Sequence, residues 1–219
     1  MMSWTADLRA GLFVTVEGGE GAGKSTVVAL VADQLRIAGV PVTVTREPGQ
    51  SSIGPAIRAL LLDGQYTLTD RAETLLLLAE RAQHVSEVIA PALARGDVVL
   101  CDRFVDSTAA YQGFSRGLGT DRVRRLSEWA SAGLQPDLTF LLDIAPQVGL
   151  GRKDPGEVNR MEREPLAFHE RVRQGFLSLA LHEPARVTLL DGDRPAAETA
   201  DIITAAIVSR RGDAGPRPR

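Results

Sequence analysis

Lysine is nearly missing from this 219-residue sequence: of 25 basic residues only Lys24 and Lys153 are lysines, arginine filling every other position. Cysteine is reduced to Cys101, set in the run "DVVLC", which excludes a disulfide framework and favours a small buried core residue over a catalytic thiol. No apolar run approaches the roughly 18 residues of a membrane span, so no membrane partner is expected. The opening "MMSWTADLRAG" has an acid and no apolar stretch, so it reads as a short extension (1–10) and not as a secretory signal; a cytoplasmic location is expected. An excess of positive charge is also lacking. The net charge is −3 and the pI about 5.7, which excludes a globally basic surface for nucleic acid and requires any bound phosphate to be held locally. The three histidines, His84, His169 and His182, are too scattered for a metal set defined by spacing, and no chemistry is assigned to them.

What is present is ordinary globular composition, 44% hydrophobic and 24% charged, in a length that suits one core. Five β-rich runs alternate with helical patterns: Leu12–Val16, Pro41–Thr45, Asp97–Cys101, Asp137–Asp143 and Arg186–Asp191. Helices are predicted from Lys24 to about Ala38, Thr69 to Ala94, Asp121 to Ala132 and Pro195 to Val208. The alternation implies an α/β fold of three layers, a five-stranded parallel sheet with helices on both faces. One domain over residues 11–209 is expected, with "RRGDAGPRPR" at 210–219 as a disordered tail. Residues 149–165, rich in glycine, proline and charge, read either as a lid or as a solvated connection.

The stretch "EGGEGAGKST" follows the first strand and opens the first helix, and its spacing Gly18-x-x-x-x-Gly23-Lys24-Ser25 is that of a phosphate-binding loop. Glycines let backbone N–H groups from Gly18, Gly19, Glu20, Gly21, Ala22 and Gly23 through to Thr26 turn inward around an anion. The helix adds its positive end, Lys24 reaches the outer phosphates and Ser25 offers a hydroxyl to Mg²⁺. In "LCDRFVDSTAAYQG", Asp102 and Arg103 stand at the C-terminal end of a buried strand, where open α/β sheets bind ligands; the acid can hold Mg²⁺ or its waters and the arginine a phosphate. The pair could instead bond to each other or cap a helix. In "TREPGQ", Arg46 and Glu47 end another strand and precede a turn, and taken alone they read as a surface pair. Arg81 in "ERAQH" either faces inward, needing an anionic or carbonyl partner, or lies on the solvated face.

Taken in order, "EGGEGAGKST", "TREPG", "AERAQH", "DRFVDSTAAYQG", "PDLTFLLD" and an arginine-containing lid resemble the bacterial thymidylate kinases over about Gly11 to Val208. The resemblance implies a P-loop nucleoside monophosphate kinase that moves the γ-phosphoryl of ATP to dTMP, with Mg²⁺, as a cytoplasmic homodimer. It implies that Lys24, Arg103, Glu20 and the lid pair Arg152 and Arg160 are catalytic, and that Ser25 and Asp102 hold the metal. Arg46 and Arg103 would grip the acceptor phosphate and Arg81 would bond the thymine. Pro48, Leu77, Ser107, Thr108 and Gln112 would line the base and sugar pocket, with Tyr111 crowding a ribose 2′-hydroxyl. Three positions depart from the family pattern: Gln50 for a glycine, Asn159 for an aspartate and Leu77 for the phenylalanine that stacks on thymine. The last leaves a kinase for another pyrimidine monophosphate as an alternative; an ATPase switch is a second, which the acceptor-site motif opposes.

Overall fold

The computed structural model describes residues 10–152 and 159–213. Nearly all of the N-terminal extension, the middle of the expected lid with Lys153, and the end of the tail lie outside the described residues.

The five strands are β1 (Leu12–Gly18), β2 (Val42–Arg46), β3 (Val98–Asp102), β4 (Leu138–Asp143) and β5 (Val187–Asp191), all parallel in the order β2-β3-β1-β4-β5. The central strand β1 is buried along its whole length, as a parallel strand covered on both faces must be, whereas β2 and β5 at the edges are partly exposed. Most of these strands reach further towards their C-terminal ends than hydrophobicity predicts. Ladder pairing continues past the last apolar side chain, to Gly18 against Leu142 and Arg46 against Asp102. Those extra residues are polar or glycine, so hydrophobicity does not mark them.

The helices are α1 (Lys24–Ile37), α2 (Gly54–Leu62), α3 (Asp70–His84), α4 (Ala90–Ala94), α5 (Val105–Thr108), α6 (Thr120–Ala130), α7 (Pro146–Gly151), α8 (Leu166–His182) and α9 (Ala196–Asp213). Thr69 caps α3 by accepting from the Ala72 N–H. The single helix predicted over 69–94 is divided by a π-helical turn at Val85–Ile89, next to Pro91, which has no N–H to return to the preceding turn. Helices α2, α5, α7 and α8 have no counterpart among the sequence expectations, and α9 runs past the predicted Val208 boundary to Asp213, into the segment expected to be tail.

Alternate residues of the central strands feed two cores. Val14, Val16, Leu100, Phe140 and Leu142 meet Val31 and Leu35 of α1 and Ile203 and Ile207 of α9. On the other face Phe13, Val99 and Cys101 meet Ile89 and Leu93, and Leu141 meets Phe168, Val172 and Phe176 of α8. Cys101 is a buried free thiol, as expected. No helix among the described residues is long and apolar enough to cross a membrane.

Candidate active site

The loop between β1 and α1 needs its glycines for two separate reasons. Gly18, Gly21 and Gly23 have φ of 144°, 68° and 83°, values that side chains resist. Gly21 also lies so close to α7 that an added Cβ would stand 1.8 Å from the Gly149 carbonyl oxygen. The N-cap residue of α1, Gly23, makes no side-chain cap, and the first turn holds no acid, so the positive end of the helix is left for an anion. Lys24 lies across the loop, its Nζ donating to the Gly19 carbonyl at 2.7 Å. Burial, aided by the like charge of Arg103, pushes its ammonium down from 10.5 to about 8.

Parallel pairing brings the end of β3 beside this loop. Ser25 Oγ donates to Asp102 Oδ2 at 2.6 Å, an oxygen pair of the kind a hard divalent cation takes. The next residue, Arg103, has φ of 71°, a left-handed conformation that costs a non-glycine residue about 1–3 kcal/mol. The turn aims its guanidinium back at the loop: Nη1 donates to Gly18 O at 3.0 Å and Ser107 Oγ at 3.1 Å, and Nη2 to Glu20 Oε1 at 2.8 Å. Tyr111 donates to the same Glu20 oxygen at 2.8 Å, and its ring lies 5.1 Å from the Arg103 guanidinium carbon. The Asp102–Arg103 pair therefore neither closes on itself nor caps a helix. Beneath it, Glu17 accepts from Phe104 N–H at 2.7 Å and Ser107 Oγ at 2.6 Å. Burial, with Asp106 nearby, pushes the Glu17 carboxyl up to about 7.

A pocket opens beside Arg103 and the Glu20 side of the phosphate loop. Pro48, Leu77, Arg81, Ser107, Thr108, Tyr111 and Gln112 all line it, together with Glu20 and Arg160. Arg81 faces inward at 1% exposure and has both kinds of partner that such a position demands. Its Nε donates to Glu47 Oε2 at 2.8 Å, Nη1 to Ser127 at 3.2 Å, and Nη2 to Phe104 O at 3.1 Å and Thr108 Oγ1 at 2.8 Å. A single Nη1 hydrogen is left for a ligand. Glu47 is buried and held also by His84 Nδ1 at 3.0 Å, so it is no surface acid. The fold thereby gives His84 a supporting role that spacing alone could not reveal.

Arg46 is exposed and is not part of the pocket wall; Arg58 of α2 takes that place, donating to Pro48 O at 2.8 Å. Burial and the nearby charge of Arg46 lower the Arg58 pKa. The two arginines of the expected lid part company. Arg152 donates to the loop at Gly21 O, 3.3 Å, and pairs with Asp193 at 2.6 Å, whereas Arg160 reaches the pocket, donating to Leu61 O at 2.7 Å and to Glu73. Arg58, Glu73 and Met161 are wall residues that sequence reasoning missed. Arg58 and Glu73 belong to amphipathic helical runs where nothing but the tertiary fold distinguishes a pocket residue from a solvated one.

The Thymidylate kinase family model matches residues 16–203. A thymidylate kinase of Synechococcus sp. (strain JA-3-3Ab) is 50% identical over 207 residues, covering 94% of this chain and 100% of the relative. That of Deinococcus radiodurans is 50% identical over 203 residues, covering 92% and 98%. The crystal structure of thymidylate kinase from Ehrlichia chaffeensis is similar with a TM-score of 0.71 at 31% identity, covering 88% of this chain and 98% of that one.

Proposed function

This chain belongs to the thymidylate kinase family, and from that premise we propose that it transfers the γ-phosphoryl of ATP directly and in line to dTMP, giving dTDP and ADP. The observation that carries the reading is the reach of Arg103, whose guanidinium bonds the phosphate loop at Gly18 and also lines the pocket next to it. A single cation thus serves both sides of the transfer.

A phosphate monoester has its second pKa near ~6, so at neutral pH the acceptor is already an anionic nucleophile and needs no strong base. The difficulty is bringing two anions together, which explains a site built from cations and donors. Lys24 and the N-terminus of α1 hold the outer phosphates of ATP. Arg103 and Arg58, both in the pocket wall, hold the acceptor phosphate. Glu20, which bonds both Arg103 and Tyr111, orients the guanidinium and keeps the tyrosine hydroxyl beside the sugar. The Tyr111 ring at that spot favours a deoxyribose. Ser25 and Asp102 are the oxygen donors that would hold Mg²⁺, which would supply positive charge to neutralise the phosphates. Of the lid arginines, Arg152 already touches the loop, and we assign it the transferring group.

The exposed Leu75 of α3, at 60%, and Leu126 and Trp129 of α6, at 39% and 79%, support a homodimer face on adjacent helices. A cytoplasmic location accords with the substrates.

An ADP-release assay with ATP, Mg²⁺ and, separately, dTMP, dUMP, dCMP, dGMP, UMP or no acceptor tests the reading. Turnover that depends on dTMP is expected. Preference for another monophosphate moves the assignment to a divergent kinase, and hydrolysis without acceptor removes the kinase reading.

A further inference from the structure

Glu73, in the first turn of α3, is a carboxylate of 2% exposure in the wall of the acceptor pocket, and the transfer described above gives it no task. Donors converge on it from the π-helical segment Ala109–Ser115, from the turn after it and from the end of the lid. Gln112 Nε2 donates to Oε1 at 2.8 Å, Arg116 donates from Nε at 3.4 Å and Nη2 at 3.3 Å, and Arg160 Nη2 donates to Oε2. Burial pushes the Glu73 carboxyl up, but the bonds from Gln112 and Arg160 and the charge of Arg116 outweigh it and hold the group below its ordinary value. Glu73 is therefore ionised at neutral pH, and an ionised carboxylate can only accept.

That has a consequence for Gln112, itself 2% exposed and in the same wall. A side-chain amide has a donor end and an acceptor end, and the neighbour decides which end faces where. Against Glu73 the amide must present its NH₂, so its carbonyl Oε1 is the end left for a ligand. Turning the amide over would set two oxygens against each other in a buried place.

We propose that Glu73 is a positioning residue for base selection: by clamping the Gln112 amide it leaves a fixed acceptor in the pocket, which favours a base carrying a ring N–H. Thymine and uracil donate from N3, whereas N3 of cytosine is an acceptor and would face Oε1 with no hydrogen between them. With leucine at position 77 supplying contact but no direction, this fixed acceptor acts beside the Nη1 donor that Arg81 leaves for a ligand. Arg160 and Arg116 serve Glu73 by keeping it charged and in place. The inference rests on the thymidylate kinase reading and deepens it.

The test compares kcat/KM for dTMP, dUMP and dCMP in the wild type and in Glu73→Gln. The new amide has nearly the same shape but can pair with either end of Gln112, so the flipped, donor-presenting state becomes accessible. A site that reads a buried polar group rejects the mismatched analogue by about 10⁴-fold. In Glu73→Gln the dTMP-to-dCMP ratio is expected to fall at least about tenfold, with dUMP following dTMP. A merely structural role would lower all three acceptors by one factor, and an unchanged ratio in the folded variant overturns the proposal. Should Glu73→Gln not fold, NMR on the ¹⁵N-labelled wild type decides: the Gln112 side-chain NH₂ is expected to be protected from hydrogen exchange before and after dTMP binds, and rapid exchange overturns the clamp. Wild-type protein that ignores dTMP would instead defeat the function itself.

Discussion

Replacing Lys24 by methionine should make the nucleotide-free protein more stable while removing its activity. Lys24 is 7% exposed, and burial lowers its ammonium from 10.5 to about 8. The difference of the two values, at 1.36 kcal/mol for each pH unit, makes the buried charge cost about 3 kcal/mol in the folded state at pH 7. Methionine keeps the apolar stem and drops the charge, but also drops the bond to Gly19 O, worth about 1 kcal/mol. The net gain of about 2 kcal/mol corresponds to a rise in Tm of roughly 4–8 °C for a chain of this size. Its pH dependence identifies the cause. Below pH 8 Lys24 is charged in both states and the full cost is present. Between pH 8 and 10.5 the folded protein releases the proton while the unfolded chain keeps it, so the wild type gains on the variant as pH rises. Thermal melts at pH 7 and 9.5, with and without MgATP, make the comparison. ATP at about 100 times its Kd should add some 2.7 kcal/mol to the wild type and little to the variant, reversing their order. A Lys24→Met protein that melts below the wild type at pH 7 without nucleotide, or whose advantage is the same at both pH values, refutes the reasoning.

The same lowered pKa predicts that kcat/KM for ATP falls as pH rises through about 8 while kcat falls later, because bound phosphate returns the proton to Lys24; parallel pH profiles would contradict this. Gly21→Ala forces a Cβ to within 1.8 Å of Gly149 O and should shift the loop enough to lower kcat about 100-fold with the circular dichroism unchanged. Arg81→Leu strands the buried Glu47 carboxylate without its guanidinium and should cost about 3–5 kcal/mol in denaturant unfolding; a loss below about 1 kcal/mol would show that His84 suffices. Leu77→Phe adds an aromatic face to the pocket wall and should lower KM for dTMP roughly fivefold, about 1 kcal/mol, with kcat little changed.

How much of this was legible in the sequence follows from how local each signal is. The conformation of the β1–α1 loop was readable because glycines at fixed spacing between a strand and a helix specify such a turn directly. The parallel sheet was readable too, since each central strand is an apolar run too short for a helix. The strand ends were drawn short because the ladder continues through Gly18, Arg46 and Asp102, whose side chains carry no hydrophobic signal. Helix α8 escaped notice because the charged sequence before it, expected to be a lid or a connection, masks its start, and α5 because its few residues continue into a π-helical turn. Within the site, Arg103, Tyr111 and Gln112 were found through one motif. Arg58 and Glu73 come from helices remote in sequence, and their function depends on which face the tertiary packing turns towards the pocket. The arginines of the expected lid fall between these cases: sequence grouped Arg152 with Arg160, and the fold gives them different partners, the β1–α1 loop for Arg152 and the pocket wall for Arg160.

The most direct test of the account is to follow ATP, dTMP and Mg²⁺ with the purified protein by ³¹P NMR, observing the product and not only the loss of ATP. The account predicts that β-phosphate resonances of dTDP and ADP grow together in equal amounts, with inorganic phosphate absent. Inorganic phosphate appearing in place of dTDP would contradict the claim that this site passes the phosphoryl group to a bound nucleotide.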